Sequence, residues 1–226
     1  MCFIPKLIST CLMLLVMFVG LCLLNQSHAD PRNPAAGENV MVSKAKKNHV
    51  YSSEPGKFIT EIVTELSKVL AATNSEESKK AKLEEMALAT VDIEAVAKNS
   101  LGKYYKELKD DELAQYQSLF KKFFLKNLTS TLINFSETKF KFISSEKHNE
   151  SISFVQTLHQ STNEEPVINI IRLVYTKNPD KHLIRDVIIE GLSMAMTQRV
   201  EFVSIIKSND GDVKSLFKYL NECINK

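Results

Sequence analysis

Apolar positions along this chain fall into two textures, with the change near residue 135. Before it they recur at helical spacing. Phe58, Ile59, Ile62, Val63, Leu66, Val69 and Leu70 share one face of a helix that starts near Pro55. Asn74-Ser75 breaks it, and Glu76 to about Ala89 reads as a more polar helix carrying Leu83, Met86 and Leu88. Asp92 stands where its carboxylate can accept from the free N–H groups of a short helix through Val96 and Ala97. Leu101-Gly102 turns the chain toward Tyr104, Tyr105 and Leu108. The longest helix is predicted from Asp110, because Asp110, Asp111 and Glu112 place negative charge at the positive end of a helix dipole. Leu113, Tyr116, Phe120, Phe123, Phe124, Leu128 and Leu132 give it a broad, strongly aromatic face.

After Phe135 the period shortens. Four strand-like runs follow, at about Thr138–Lys147, Ser151–Gln160, Pro166–Lys177 and His182–Glu190. Polar turn material separates them: His148-Asn149-Glu150, Thr162–Glu165 and Asn178-Pro179-Asp180. Connections this short imply antiparallel neighbours. The third run is apolar on both faces, with Val167, Ile171 and Leu173 on one and Ile168, Ile170 and Val174 on the other. It is therefore expected to be a central strand covered on both sides. In Asp186–Phe202, a β-branched strand ends at Gly191 and Ser193 is placed to cap a helix. Asp210-Gly211-Asp212 then separates two closing helices, the last with Val213, Leu216, Phe217 and Leu220 on one face. Helices before and after an antiparallel sheet predict an α+β domain with helices packed on four strands.

The ends change the picture. Lys6, an apolar stretch from Leu7 to Leu24, and small residues at Ser27 and Ala29 read as a secretory signal peptide over residues 1–29 cleaved before Asp30. Residues 30–53 lack apolar periodicity and are expected to form a flexible leader to a domain over 54–226. Cys2, Cys11 and Cys22 leave with the signal, so Cys223 is alone in the mature chain. An internal disulfide is excluded, and Cys223 is read as a small packing residue. A formal charge of +2 over 226 residues argues against nucleic acid as the main partner.

Catalytic and cofactor signals are missing. Asp186 and Glu190 share a strand face about 13 Å apart, too far for a glycosidase carboxyl pair. Asp186 is expected to pair with an arginine such as Arg172 or Arg199. Gly191-Leu192-Ser193-Met194-Ala195 lacks the second glycine of a nucleophile elbow. His148, His159 and His182 read as surface or edge residues, with no metal-ligand spacing. No glycine loop is built to cradle a phosphate, so no cofactor is expected.

Several ordered segments resemble a known family. They are Pro55-Gly56-Lys57-Phe58, Val91-Asp92, Leu101-Gly102-Lys103-Tyr104-Tyr105, the aromatic helix from Phe120 to Leu128, and Asp186-Val187 followed by Glu190-Gly191-Leu192-Ser193, Arg199 and Phe202. Together they span about Pro55–Leu220. The set is similar to the MlaC or toluene-tolerance family, the periplasmic phospholipid-shuttle component of the Gram-negative maintenance-of-lipid-asymmetry system. The chain departs from that family at His182, where it usually has Trp, at Gln198-Arg199, where it has Tyr-Arg, and near Asn127 or Leu128, where a helix tyrosine is replaced.

The resemblance implies a cystatin/NTF2-like sheet-and-helix fold that holds phospholipid acyl chains in an apolar cavity between sheet and helices. It also implies two docking partners: an inner-membrane MCE-domain complex driven by an ABC transporter ATPase, and an outer-membrane lipoprotein–porin complex. Candidate lipid-contacting residues are Leu66, Leu101, Tyr105, Phe120, Phe124, Ile170, Leu173, Met194 and Met196, apolar positions on the helices and strands that would enclose such a cavity. Two other readings stand beside this one. An NTF2-like enzyme working in an apolar pocket would use Asp186, and a periplasmic chaperone would bind polypeptide instead of lipid.

Overall fold

The computed structural model describes residues 51–134, 139–160, 165–177 and 180–226. The expected signal peptide, most of the leader, the turn segments at 161–164 and 178–179, and the first residue of the first predicted strand lie outside the described residues.

Most helices begin where a side chain accepts from their free N–H groups. Helix α1 (Pro55–Ala71) has proline in its first turn, and the Glu54 carboxylate accepts from the N–H groups of Gly56 and Lys57. Helix α2 (Glu76–Thr90) is capped by Ser75, which lies in the predicted break, and α3 (Ile93–Leu101) is capped by Asp92, as the sequence predicts. Gly102 ends α3 at φ 60° and ψ −126°, and a 3₁₀ turn (Gly102–Lys106) follows. Helix α4 (Asp110–Asn134) starts at the predicted acidic triplet and runs 25 residues.

The sheet is an antiparallel meander in chain order. Its strands are β1 (Lys139–Lys147), β2 (Ile152–Gln160), β3 (Val167–Lys177), β4 (Asp180–Ile189) and a two-residue β5 (Leu192–Ser193). Among the described residues the count is thus five where four were expected. The fifth strand exists because Glu190 (φ 50°) and Gly191 (φ 80°) form a two-residue turn of positive φ, which suits a tight hairpin. The chain folds back, pairing Ile189 with Leu192 and Ile188 with Ser193. Helices α5 (Met194–Lys207) and α6 (Val213–Ile224) complete the domain.

Three apolar clusters hold these elements. Phe58 and Ile59 of α1 pack on Val155 of β2 and Leu173 of β3. Leu66 and Leu70 of α1 pack on Leu83 and Met86 of α2, with Leu132 and Ile133 of α4 at the edge. The largest cluster joins α3, α4, α5 and α6 through Leu101, Tyr116, Phe120, Phe123, Phe202 and Leu216, among others. β3 is the central strand, but the expectation of cover on both sides fails at one end. Ile168, on the face opposite Leu173, is 52% exposed.

Two further expectations need correction. Tyr51 and Ser53, assigned to the leader, pack on the domain. The Tyr51 hydroxyl donates to Glu65 at 2.6 Å, and its ring meets Phe58 edge-on. The Ser53 carbonyl bonds Nε2 of His182 at 2.8 Å. His182 is consequently no surface residue: it is 4% exposed, between the rings of Phe58 and Tyr175. Its ring ties down the chain before α1. His159 is half-buried, with Nδ1 2.7 Å from Asn169 Nδ2.

Candidate functional site

The aromatic face of α4 becomes the centre of the helical layer. Tyr116 is fully buried and its hydroxyl donates to the Ala97 carbonyl of α3 at 2.8 Å. Burial pushes the Tyr116 hydroxyl far above its ordinary pKa, so it stays a neutral donor. Phe120 stacks on Phe124 at 5.9 Å and meets Phe202 of α5 edge-on at 6.1 Å. Tyr105, from the 3₁₀ turn, meets Tyr116 edge-on at 6.5 Å and accepts a hydrogen bond from Gln117.

Four of the nine residues singled out from the sequence therefore stand together. Leu101 and Phe120 are buried inside this cluster, and Tyr105 and Phe124 lie half-buried at its edge. The others are placed elsewhere. Leu66 is in the α1–α2–α4 cluster and Leu173 in the α1–sheet cluster. Ile170 is half-buried on the sheet face opposite Leu173, because three residues along a strand reverse the side. Met194 is half-buried at the start of α5, and Met196 is 54% exposed. Cys223 sits half-buried against the helical cluster, in the packing position expected of it.

The corner between β4 and α5 is knit by Asp186. One carboxylate oxygen accepts from the Ser193 hydroxyl at 2.5 Å and the other from the Ala195 N–H at 3.0 Å. Ser193 Oγ in turn accepts from the Met196 N–H at 3.1 Å, which confirms the predicted cap. The expected pairing of Asp186 with Arg172 or Arg199 does not form among the described residues. The helix N-terminus, rich in free N–H groups, has taken the carboxylate instead. Arg199 reaches across to the α3 terminus, where a Cβ added to Gly102 would meet its Nε at 2.6 Å.

Other polar groups inside the fold take places that the sequence did not assign them. Arg185 of β4 donates to Asp92 at 2.8 Å and so joins the sheet edge to the α3 cap. Glu201 of α5 accepts from Tyr219 at 2.8 Å and from Gln198 at 2.9 Å, yet burial still holds its carboxyl above the usual range. Arg172 and Asn169 interrupt the apolar run of β3, and that interruption was the available signal. Asn169 Oδ1 and Arg172 Nε are both buried without a partner. Arg172, Arg185, Lys98 and Asn99 line a surface pocket of about 410 Å³ with Asp92, Glu94 and Ala95. A second pocket of about 370 Å³ lies between α1 and α2, around Glu65, Lys68 and Lys82. None of the nine residues lines either one. Among the described residues no cluster of His, Cys, Asp or Glu could hold a metal, and no helix is long and apolar enough to cross a membrane.

Comparison with known proteins bears on this arrangement. No curated protein matches the sequence. A solved phospholipid-binding protein from Ralstonia solanacearum, in complex with a phospholipid, shares the fold with a TM-score of 0.61. It is 17% identical, and the alignment covers 74% of this chain and 94% of that one. The family model described as MlaC protein matches residues 58–222. That span takes in most of α1, the Leu101–Tyr105 turn, the aromatic helix α4 and the Asp186–Ser193 corner, so the chain belongs to the MlaC family.

Proposed function

We propose that this protein is a periplasmic carrier that binds phospholipid acyl chains in its apolar interior and moves lipid between inner- and outer-membrane complexes. The observation that carries the reading is the family match over residues 58–222. The phospholipid held by the Ralstonia solanacearum protein of like fold supports it further. The export signal read at residues 1–29 fits a carrier working outside the inner membrane.

Physical necessity shapes such a carrier. Each buried CH₂ is worth about 0.8 kcal/mol, so two chains of about 15 methylenes would cost on the order of 24 kcal/mol to expose to water. The carrier must replace nearly all of that burial. Because membrane and carrier offer similar surroundings, the net transfer energy is small. Docking partners can then set direction: an MCE-domain complex with its ABC transporter ATPase on the inner membrane, and a lipoprotein–porin complex on the outer.

The test is native mass spectrometry of the protein purified from a Gram-negative periplasm, with lipid extraction. Adducts of phospholipid mass that survive gel filtration are expected. A bare protein that also takes up no lipid from labelled vesicles would sink the carrier reading. Polypeptide adducts in place of lipid would point to a chaperone.

A further inference from the structure

We propose that the pocket between α3 and the β3–β4 pair is an anion site that takes the phosphate of a lipid headgroup, with Arg172 as its principal ligand. The inference rests on the carrier reading above and names one part of its binding site.

Arg172 lies mid-strand in β3, directly opposite Asp186 in β4. Such a cross-strand pair ordinarily neutralises itself. Here it does not, because both Asp186 oxygens are held by Ser193 and Ala195 at the start of α5. Among the described residues no carboxylate stands within ion-pairing distance of Arg172, and its Nε is buried without a partner. A half-buried guanidinium without a counter-charge is costly. It is retained at low cost when a ligand completes it.

The surroundings suit an anion. The register shift beside Arg172 leaves Arg185 as an extra residue in β4, and both arginines line the pocket. Arg185 spends its Nε on Asp92, which orients the rest of its planar fork. Lys98 and Asn99 of α3 stand exposed at the pocket's rim, with Lys98 Nζ 5.8 Å from the centre of the Tyr105 ring. Arg185 and Asp92 neutralise one another, which leaves Arg172 and the exposed Lys98 against the exposed Glu94. At about 410 Å³ it has room for a phosphate with its glycerol. Arg172 also has apolar company on its sheet face: Phe154 opposite it in β2, Ile170 two residues away, and Ile188 paired with Ile170. A charged group beside an apolar strip fits an amphiphile.

Short-chain probes separate the possibilities. Binding of dioctanoyl phosphatidylglycerol, dioctanoylglycerol and inorganic phosphate to the full chain, expressed in a Gram-negative host and delipidated, is measured for the native protein, Arg172→Gln and Arg172→Lys. The native protein is expected to prefer the phosphate-bearing lipid by at least roughly tenfold, as charge-assisted bonds would give. Arg172→Gln should collapse that preference toward one, and Arg172→Lys should restore part of it. A native preference that Arg172→Gln leaves intact overturns the proposal. Equal native binding of both lipids also overturns it while leaving the carrier reading standing. Phosphate binding that depends on Arg172 without any lipid preference would assign the site to free phosphate and overturn the headgroup. Loss of both lipids in the native protein, with phosphate still bound, would instead strike the carrier reading.

Discussion

Gly102 shows how one residue can tie two helices together. Its φ of 60° and ψ of −126° belong to a region open to glycine alone, and Arg199 of α5 lies against its bare Cα. In Gly102→Ala the guanidinium can swing away, so the backbone carries most of the penalty. A loss of about 1–3 kcal/mol is expected in urea unfolding. Glu201 gives a test of opposite sign. Burial raises its carboxyl above the ordinary 4.5, so the folded protein binds that proton more tightly than the unfolded chain does. Its favourable contribution is complete below 4.5 and is lost as pH rises through the folded value. Glu201→Gln keeps an acceptor for Tyr219 and removes the buried charge. The variant should therefore be more stable than the native protein at pH 7, with the gain fading as pH falls to 4.5. A gain that is the same at both pH values would remove desolvation as the cause.

Among elements, α5 depends on a residue outside itself. Asp186 accepts from the Ser193 hydroxyl and the Ala195 N–H, so Asp186→Ala removes two bonds from one helix start. The expected cost is about 1–3 kcal/mol, seen as a lower midpoint in thermal unfolding, and Asp186→Asn should recover part of it. Helix α4 carries the functional prediction. Phe124 is only half-buried and stacks on Phe120 at the cluster edge. Phe124→Asp is expected to keep its far-ultraviolet circular dichroism and lose co-purifying phospholipid. Equal lipid content in variant and native protein would exclude Phe124 from the cavity wall. The elements themselves were largely legible. Asp92 and Ser193 cap their helices as read, and acidic residues open α4, since capping is a local property. β5 escaped because two strand residues leave no periodicity to detect, and only the paired positive φ values reveal the hairpin.

At the scale of the molecule, bound lipid should act as part of the core. A ligand that binds only the folded chain raises its stability in proportion to saturation. Delipidation is accordingly expected to lower the melting temperature, and phospholipid vesicles to restore it. An unchanged midpoint would mean that the lipid contributes nothing to the fold. The amino-acid order by itself determined the two textures, the α+β class, the meander, most boundaries and the family resemblance. These follow from side-chain period, caps and turn residues, all of which act over a few positions. Tertiary structure alone decided which residues meet. It drew Leu101, Tyr105, Phe120 and Phe124 into one cluster, while Leu66 and Leu173 went to two others. It also gave Asp186 to a helix terminus, buried His182 against Ser53, and left Arg172 without a counter-charge. Periodicity tells which face of an element is apolar. It cannot tell which neighbour covers that face, because the choice among partners rests on packing and competition for hydrogen bonds between residues far apart in the chain.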